Sequence, residues 1–160
     1  MNNTIANISV ENARILFKNF SGKPTKFSPE GKRKFCLIID NDIAEDFKNI
    51  GWNIKYLKPR DPDEDPQAYL EVAVSFDTYP PNIFLISGGK KTKLSEDTVN
   101  VLDYAEIENI DLIVRPYVWT MPTGISGVKA YLKNMYVTLV ENEFEAKYRD
   151  LENSDDDLPF

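Results

Sequence analysis

Histidine is absent from the 160 residues, and cysteine occurs once, as Cys36. Without an imidazole there is no Ser-His-Asp or Cys-His nucleophile, no histidine general base and no histidine zinc ligand. A single thiol rules out an intrachain disulfide and a thiolate zinc cage, and it suits a reducing cytoplasm. Cys36 sits in the apolar run Phe35-Cys36-Leu37-Ile38-Ile39, where it reads as a small buried hydrophobe. No apolar run approaches the ~20 residues that a membrane-spanning helix needs. The opening Met1-Asn2-Asn3-Thr4 has no basic-then-apolar leader pattern. The expectation is a soluble intracellular protein.

Strings that look catalytic also lack what their chemistry requires. Gly89-Lys90 is not a phosphate-binding loop: Phe84 stands where the first glycine belongs, and Lys91 where a magnesium-binding Ser or Thr belongs. Asp61-Pro62-Asp63-Glu64-Asp65-Pro66 begins with calcium-loop spacing, then places Pro66 at the required glycine and Val72 at the required glutamate. A solvated acidic loop is the expectation there. No compact acidic motif suggests a metal-dependent nuclease, so neither an enzyme nor a cofactor or metal is expected.

The net charge of −7 and pI of about 4.7 argue against a nucleic-acid partner when the chain is taken whole. The distribution reverses that argument. Glu141 to Phe160 hold eight acids and two bases, a net of −6. The other 140 residues hold 18 acids and 17 bases and are nearly neutral. We therefore expect a folded domain over residues 1–140 and a disordered acidic tail over 141–160.

Within the domain, alternation together with β-branched and aromatic content predicts strands at Ala6 to Val10, Arg14 to Phe17, Trp52 to Lys58, Tyr69 to Phe76, Ile83 to Ile86, Ile110 to Thr120 and Val128 to Val140, and the run Arg33 to Ile39 reads as a buried strand. A short helix is predicted from Asn41 to Ile50, capped by Asp40 or Asn41 and stopped at Gly51, with Ile43, Phe47 and Ile50 on its apolar face. One or two helical turns fit between Ser95 and Asp103. Many strands, one helix and long loops give a mainly β fold. The expectation is a small antiparallel barrel of the oligonucleotide-binding (OB) type with extra hairpins, and a β-sandwich is the alternative.

Three stretches interleave cations with rings. The first holds Lys18, Lys23, Lys26, Lys32, Arg33 and Lys34 among Phe17, Phe20, Phe27 and Phe35. Phe17 and Phe35 read as core, and Phe20 and Phe27 as loop rings. In the second, Arg115, Tyr117 and Trp119 share one strand face. In the third, Lys129, Tyr131 and Lys133 oppose Val128, Ala130 and Leu132, after which the apolar set slips to Met135, Val137 and Leu139. A β-bulge near Asn134 would correct that slip. Lys90, Lys91 and Lys93 follow a Gly88-Gly89 turn and could clamp over the same surface. Cations neutralise phosphates and rings stack on bases of any sequence, so the set reads as a surface for single-stranded nucleic acid.

The chain ends Asp155-Asp156-Asp157-Leu158-Pro159-Phe160, three carboxylates running into an apolar tip. This closely resembles the acidic tip of bacterial single-stranded-DNA-binding proteins, with Leu158 for the usual isoleucine. The segments Asn12-Ala13-Arg14-Ile15, Asn19-Phe20-Ser21-Gly22-Lys23, Pro29-Glu30-Gly31-Lys32-Arg33, Ile113-Val114-Arg115-Pro116-Tyr117 and Gly127-Val128-Lys129-Ala130-Tyr131 resemble phage-encoded members of that class. The resemblance implies an OB-type fold and sequence-independent binding of single-stranded DNA in replication, recombination or repair. It also implies a tip that recruits helicase, primase, polymerase or nuclease partners in a bacterial host's cytoplasm, and it allows a homo-oligomer. Two other readings stay open: a DNA-mimicking inhibitor and a metal-dependent nuclease subunit.

Overall fold

The computed structural model describes residues 5–24, 31–77 and 80–141. Its organising feature is a bend in the first strand. β1 (Ile8–Val10) and β2 (Ile15–Asn19) are separated by four residues, with Asn12 at φ 51. Asn tolerates this left-handed conformation better than most residues. The Asn12 N–H donates to the Asp111 carboxylate at 2.9 Å, which fixes the bend. Just past it Ala13 N–H donates to Ile110 O, and the next residue's carbonyl, Arg14 O, accepts from Ile38 N–H.

That bend closes a ring of strands. The other members are β3 (Arg33–Ile38), β5 (Gln67–Val74), β8 (Ile107–Thr120) and β9 (Ser126–Leu139), in the order β1-β8-β9-β5-β3-β2. Because β1 and β2 are consecutive, the two ends of this path are one bent stretch of chain. The result is the OB-like barrel expected from the sequence, and a single nine-stranded sheet replaces the sandwich alternative. Three strands lie off the ring: β4 (Ile54–Leu57) pairs with β5, and the hairpin β6 (Asn82–Ser87) with β7 (Lys90–Leu94) attaches through β6 to β9. Pairing is antiparallel except that β5 and then β6 run parallel to β9.

The interior follows from alternation. In β5, Ala68, Leu70, Val72 and Val74 are buried while the residues between them are half-exposed. Phe35 and Leu37 of β3, Leu112 and Val114 of β8, and Leu132, Met135 and Val137 of β9 complete the core with Ile83 of β6. The slip in β9 is a bulge. Ile113 pairs with Asn134 and Val114 with Leu132, which leaves Lys133 as the extra residue. The bulge lets Leu132 and Met135 both face inward.

The helix α1 spans Asn41–Ile50, the predicted range. The Asp40 side chain accepts from Asp42 N–H at 3.0 Å, and Gly51, at φ 128, bonds the carbonyls of Phe47 and Lys48. The buried face differs from expectation. Ala44 is buried and Phe47 packs on the core, while Ile43 and Ile50 are exposed. A turn of 3-10 helix occupies Val99–Asp103. No helix among the described residues is long and apolar enough to cross a membrane.

Candidate nucleic-acid interface

The solvent side of the barrel carries an ordered row. Lys34 of β3 pairs with Ala73 of β5, Ala73 with Tyr131 of β9, and Tyr131 with Arg115 of β8. These residues alternate with the buried set, so their side chains share the outward face. At about 4.8 Å per strand the row is about 14 Å long. Tyr131 is its centre. The Arg115 guanidinium carbon lies 5.2 Å from the ring centroid, Lys129 Nζ lies 5.1 Å from it, and the Tyr117 ring meets it edge-on at 6.0 Å. Tyr117 is 48% exposed, so about half of its surface remains open to a ligand.

Two outward pairs further along the β8–β9 hairpin, past Tyr117 and Lys129, Trp119 pairs with Gly127. A Cβ at position 127 would sit 2.5 Å from the indole Cζ2, far inside van der Waals contact. Glycine here makes space for the indole to lie across the partner strand. Trp119 remains 37% exposed and lines a cleft of about 220 Å³ with Lys55, Glu71, Ala73 and Lys129 among its other walls. Ala73 leaves the middle of this face low. Glu71 bears the negative charge of the cleft and is neutralised by Lys34 at 3.4 Å and Lys55 at 3.5 Å. Exposed pairs of this kind contribute about 0–1 kcal/mol, so an incoming phosphate can compete for either lysine.

Cys36 belongs to this face and not to the core, which corrects the expectation. With Phe35 and Leu37 inward, its side chain must point outward, opposite Glu71. Partial burial and then the Glu71 carboxylate push the thiol up from its ordinary value, against the pull of Lys34 and Lys55. It is held as a thiol.

The first loop behaves differently. Phe20 is completely buried and stacks on Phe35 at 5.6 Å, so it is a core residue and is withdrawn from the binding set. The Asp103 carboxylate holds it there by accepting from the N–H groups of Phe20 and Ser21 at 2.8 and 2.9 Å. Arg33 is similarly committed. Its Nε donates to Phe20 O at 2.9 Å, it pairs with Glu96 at 3.4 Å, and its guanidinium lies over Phe76. Lys23 donates to the Tyr104 hydroxyl, and chiefly that bond raises its ammonium above the usual lysine value. Gly31 N–H bonds Gly22 O at 2.8 Å and closes the neck of the loop. Lys18 is half-buried and Lys32 exposed. Phe17, expected in the core, is 70% exposed with φ 52 beside a register shift. Lys26 and Phe27 lie outside the described residues, as do Asp155, Asp156, Asp157, Leu158, Pro159 and Phe160.

Lys90, Lys91 and Lys93 are exposed on β7. Their hairpin pairs with β9 over Asn134 to Thr138, beyond the bulge from Tyr131. Lys91 Nζ lies 4.6 Å from the Phe84 centroid and 5.9 Å from that of Tyr136, and the two rings are stacked at 5.3 Å. Sequence reading missed Phe84, Tyr136 and Lys55. The two rings were legible as outward alternates, but their meeting depends on a parallel register between distant strands. Among the described residues no three Cys, Asp or Glu side chains converge as metal ligands would.

A barrel face that sets rings and cations in one row across its strands has the makings of an oligonucleotide-binding surface. The family model described as "Putative phage ssDNA-binding domain" matches residues 1–159, and the chain belongs to that family. Among solved structures, the chain is similar to the single-stranded DNA-binding protein from bacteriophage Enc34 in complex with ssDNA. The TM-score is 0.53 at 14% identity, over 86% of this chain and 89% of that one. A second structure of the single-stranded DNA-binding protein from bacteriophage Enc34 gives 0.52 at 15% identity, over 86% of this chain and 83% of that one. At this identity the likeness is one of fold. No curated protein matches the chain.

Proposed function

We propose that this protein binds single-stranded DNA without strong sequence preference, through the outward face of β3, β5, β9 and β8. The observation that carries this reading is the Lys34-Ala73-Tyr131-Arg115 row with Trp119 laid over Gly127 at its end. Rings there take bases, and Lys34, Lys55, Arg115 and Lys129 take phosphates. Lys18, Lys23, Lys32 and the β7 lysines add long-range attraction, which falls with salt as counterions are released. The binding is non-enzymatic. The acidic tip, Asp155 to Phe160, recruits proteins of replication, recombination or repair in the host cytoplasm; the support is its resemblance to bacterial tips.

The test is a fluorescence-anisotropy titration with single- and double-stranded oligonucleotides at two salt concentrations, with and without magnesium. Tight, salt-sensitive binding to the single strand without cleavage is expected. No binding to either form would point to a phosphate mimic, and magnesium-dependent cleavage to a nuclease. For the tip, deletion of residues 155–160 should abolish capture of a tip-binding partner and leave single-strand binding in place.

A further inference from the structure

We propose that Phe84, Tyr136 and Lys91 form a second stacking platform for the same DNA strand, further along β9 and separate from the Tyr131 face. The proposal rests on the single-strand-binding reading above. Phe84 and Tyr136 are direct neighbours in the parallel β6–β9 register, with rings 5.3 Å apart and 13° from parallel. Their chain neighbours Ile83, Met135 and Val137 are completely buried, so both rings stand on the solvent side of the sheet, half-exposed. A cross-strand ring pair adds to sheet stability. Stability alone does not require Lys91 over both rings, with Lys93 exposed opposite Phe84.

The position completes the argument. Tyr131 and Tyr136 lie on the outward side of one strand, five residues apart, which is about 16 Å. That span holds about five nucleotides at the 3.4 Å stacked rise. Lys133, the extra residue of the bulge, lies between them and is exposed. It puts a cation where the connecting backbone would pass. The acid opposite Tyr136 is Asp111, whose carboxylate is already held by the Asn12 N–H. A ring pair with a cation over it thus repeats along β9 the combination found around Tyr131.

The test compares full-length wild type with Phe84→Leu, which keeps apolar bulk and removes the ring, and with Lys91→Gln. Oligothymidylates of about 4 and about 16 nucleotides bracket the site sizes of OB folds. On the long probe Phe84→Leu should bind about tenfold more weakly, the effect of losing one stacked base. Lys91→Gln should lower the slope of log affinity against log salt by about one. On the short probe, which the Tyr131 face alone accommodates, Phe84→Leu should bind as wild type does. Equal affinity of Phe84→Leu and wild type for the long probe would overturn the proposal, as would an equal loss on both probes. Failure of the wild type to bind either probe would instead remove the parent reading and this one together.

Discussion

Two stretches of this chain look alike in sequence and have opposite fates. Lys18 to Lys34 and Arg115 to Lys133 both interleave cations with rings. In the second stretch alternation carries through a regular hairpin. Arg115, Tyr117, Trp119, Lys129 and Tyr131 therefore emerge on one face, while Val114, Val128 and Ala130 fill the core. In the first stretch the strand breaks at a register shift, and its described groups part: Phe20 and Arg33 are drawn into the fold, Lys23 is tied down at the surface, and only past the break does Lys34 return to the outward face. Phe20 joins Phe35, Arg33 holds the Phe20 carbonyl, and Lys23 joins Tyr104. Composition makes a stretch capable of binding DNA. The regularity of the backbone decides whether its groups remain available to do it.

The sharpest way to break this contrast is to truncate one ring from each stretch. Phe20→Ala removes a fully buried ring and should cost about 3–5 kcal/mol of stability. Thermal or denaturant unfolding measures this loss. Affinity for single-stranded DNA, corrected for the folded fraction, should hardly change. A Phe20→Ala protein of normal stability and weakened DNA binding would return Phe20 to the binding face.

Trp119→Ala should do the reverse. Loss of one base-stacking ring costs about 1–3 kcal/mol of binding, with little change in melting temperature because the indole lies on the surface. Gly127→Ala tests the same geometry without touching the ring. The added Cβ has no room under the indole, so Trp119 must lift, and affinity should fall toward the Trp119→Ala value. Wild-type affinity in Gly127→Ala would show that the flat packing of Trp119 is irrelevant to binding.

Much of the architecture was legible because it is encoded locally. Asp40 and Gly51 marked both ends of α1, period-2 alternation marked β5 and β8, and the apolar slip after Leu132 marked the bulge. Misreadings arose where a local pattern was given the wrong partner. Phe35 to Ile39 was read as buried on both faces, as in a parallel sheet covered on both sides. In a barrel one face meets solvent, and the parity of Phe35 and Leu37 turns Cys36 outward. Phe17 has the parity of Ile15 and would have pointed inward but for its positive φ and the shift beside it. Lys55, Phe84 and Tyr136 gain meaning only from strand pairings between distant parts of the chain, which no local pattern states. For the same reason the Lys18 to Lys34 stretch could not be sorted into core and surface before the Asp103 contact was known.

A smaller effect concerns the acid in the middle of the binding face. Glu71 holds Lys34 and Lys55 and repels phosphate. Glu71→Gln should therefore strengthen single-strand binding at low salt, by at most about fivefold, which is the scale of an exposed ion pair. The gain should vanish as salt rises, because the Debye length shrinks to about 8 Å near physiological ionic strength. A loss of affinity would mean that Glu71 positions the lysines and does not merely occupy them.

The smallest signal, and the most local, is the reactivity of Cys36. Its thiol is displaced upward, first by burial and second by Glu71. Only the thiolate attacks an alkylating agent. At any pH below the displaced value, Cys36 therefore carries less thiolate than a free cysteine and should react more slowly, with its rate profile moved to higher pH. Glu71→Gln removes an upward influence and leaves Lys34 and Lys55 pulling downward, so the profile should move back toward lower pH. Because Cys36 lies on the face that also bears Lys34 and the Trp119 cleft, a bound single strand should slow alkylation further. In the first stretch an exposed probe cysteine placed at Phe17 should react freely with or without DNA. If DNA left Cys36 as reactive as before, the strand would have to pass elsewhere, and the β3–β5 part of the proposed face would be lost while the β8–β9 part could stand.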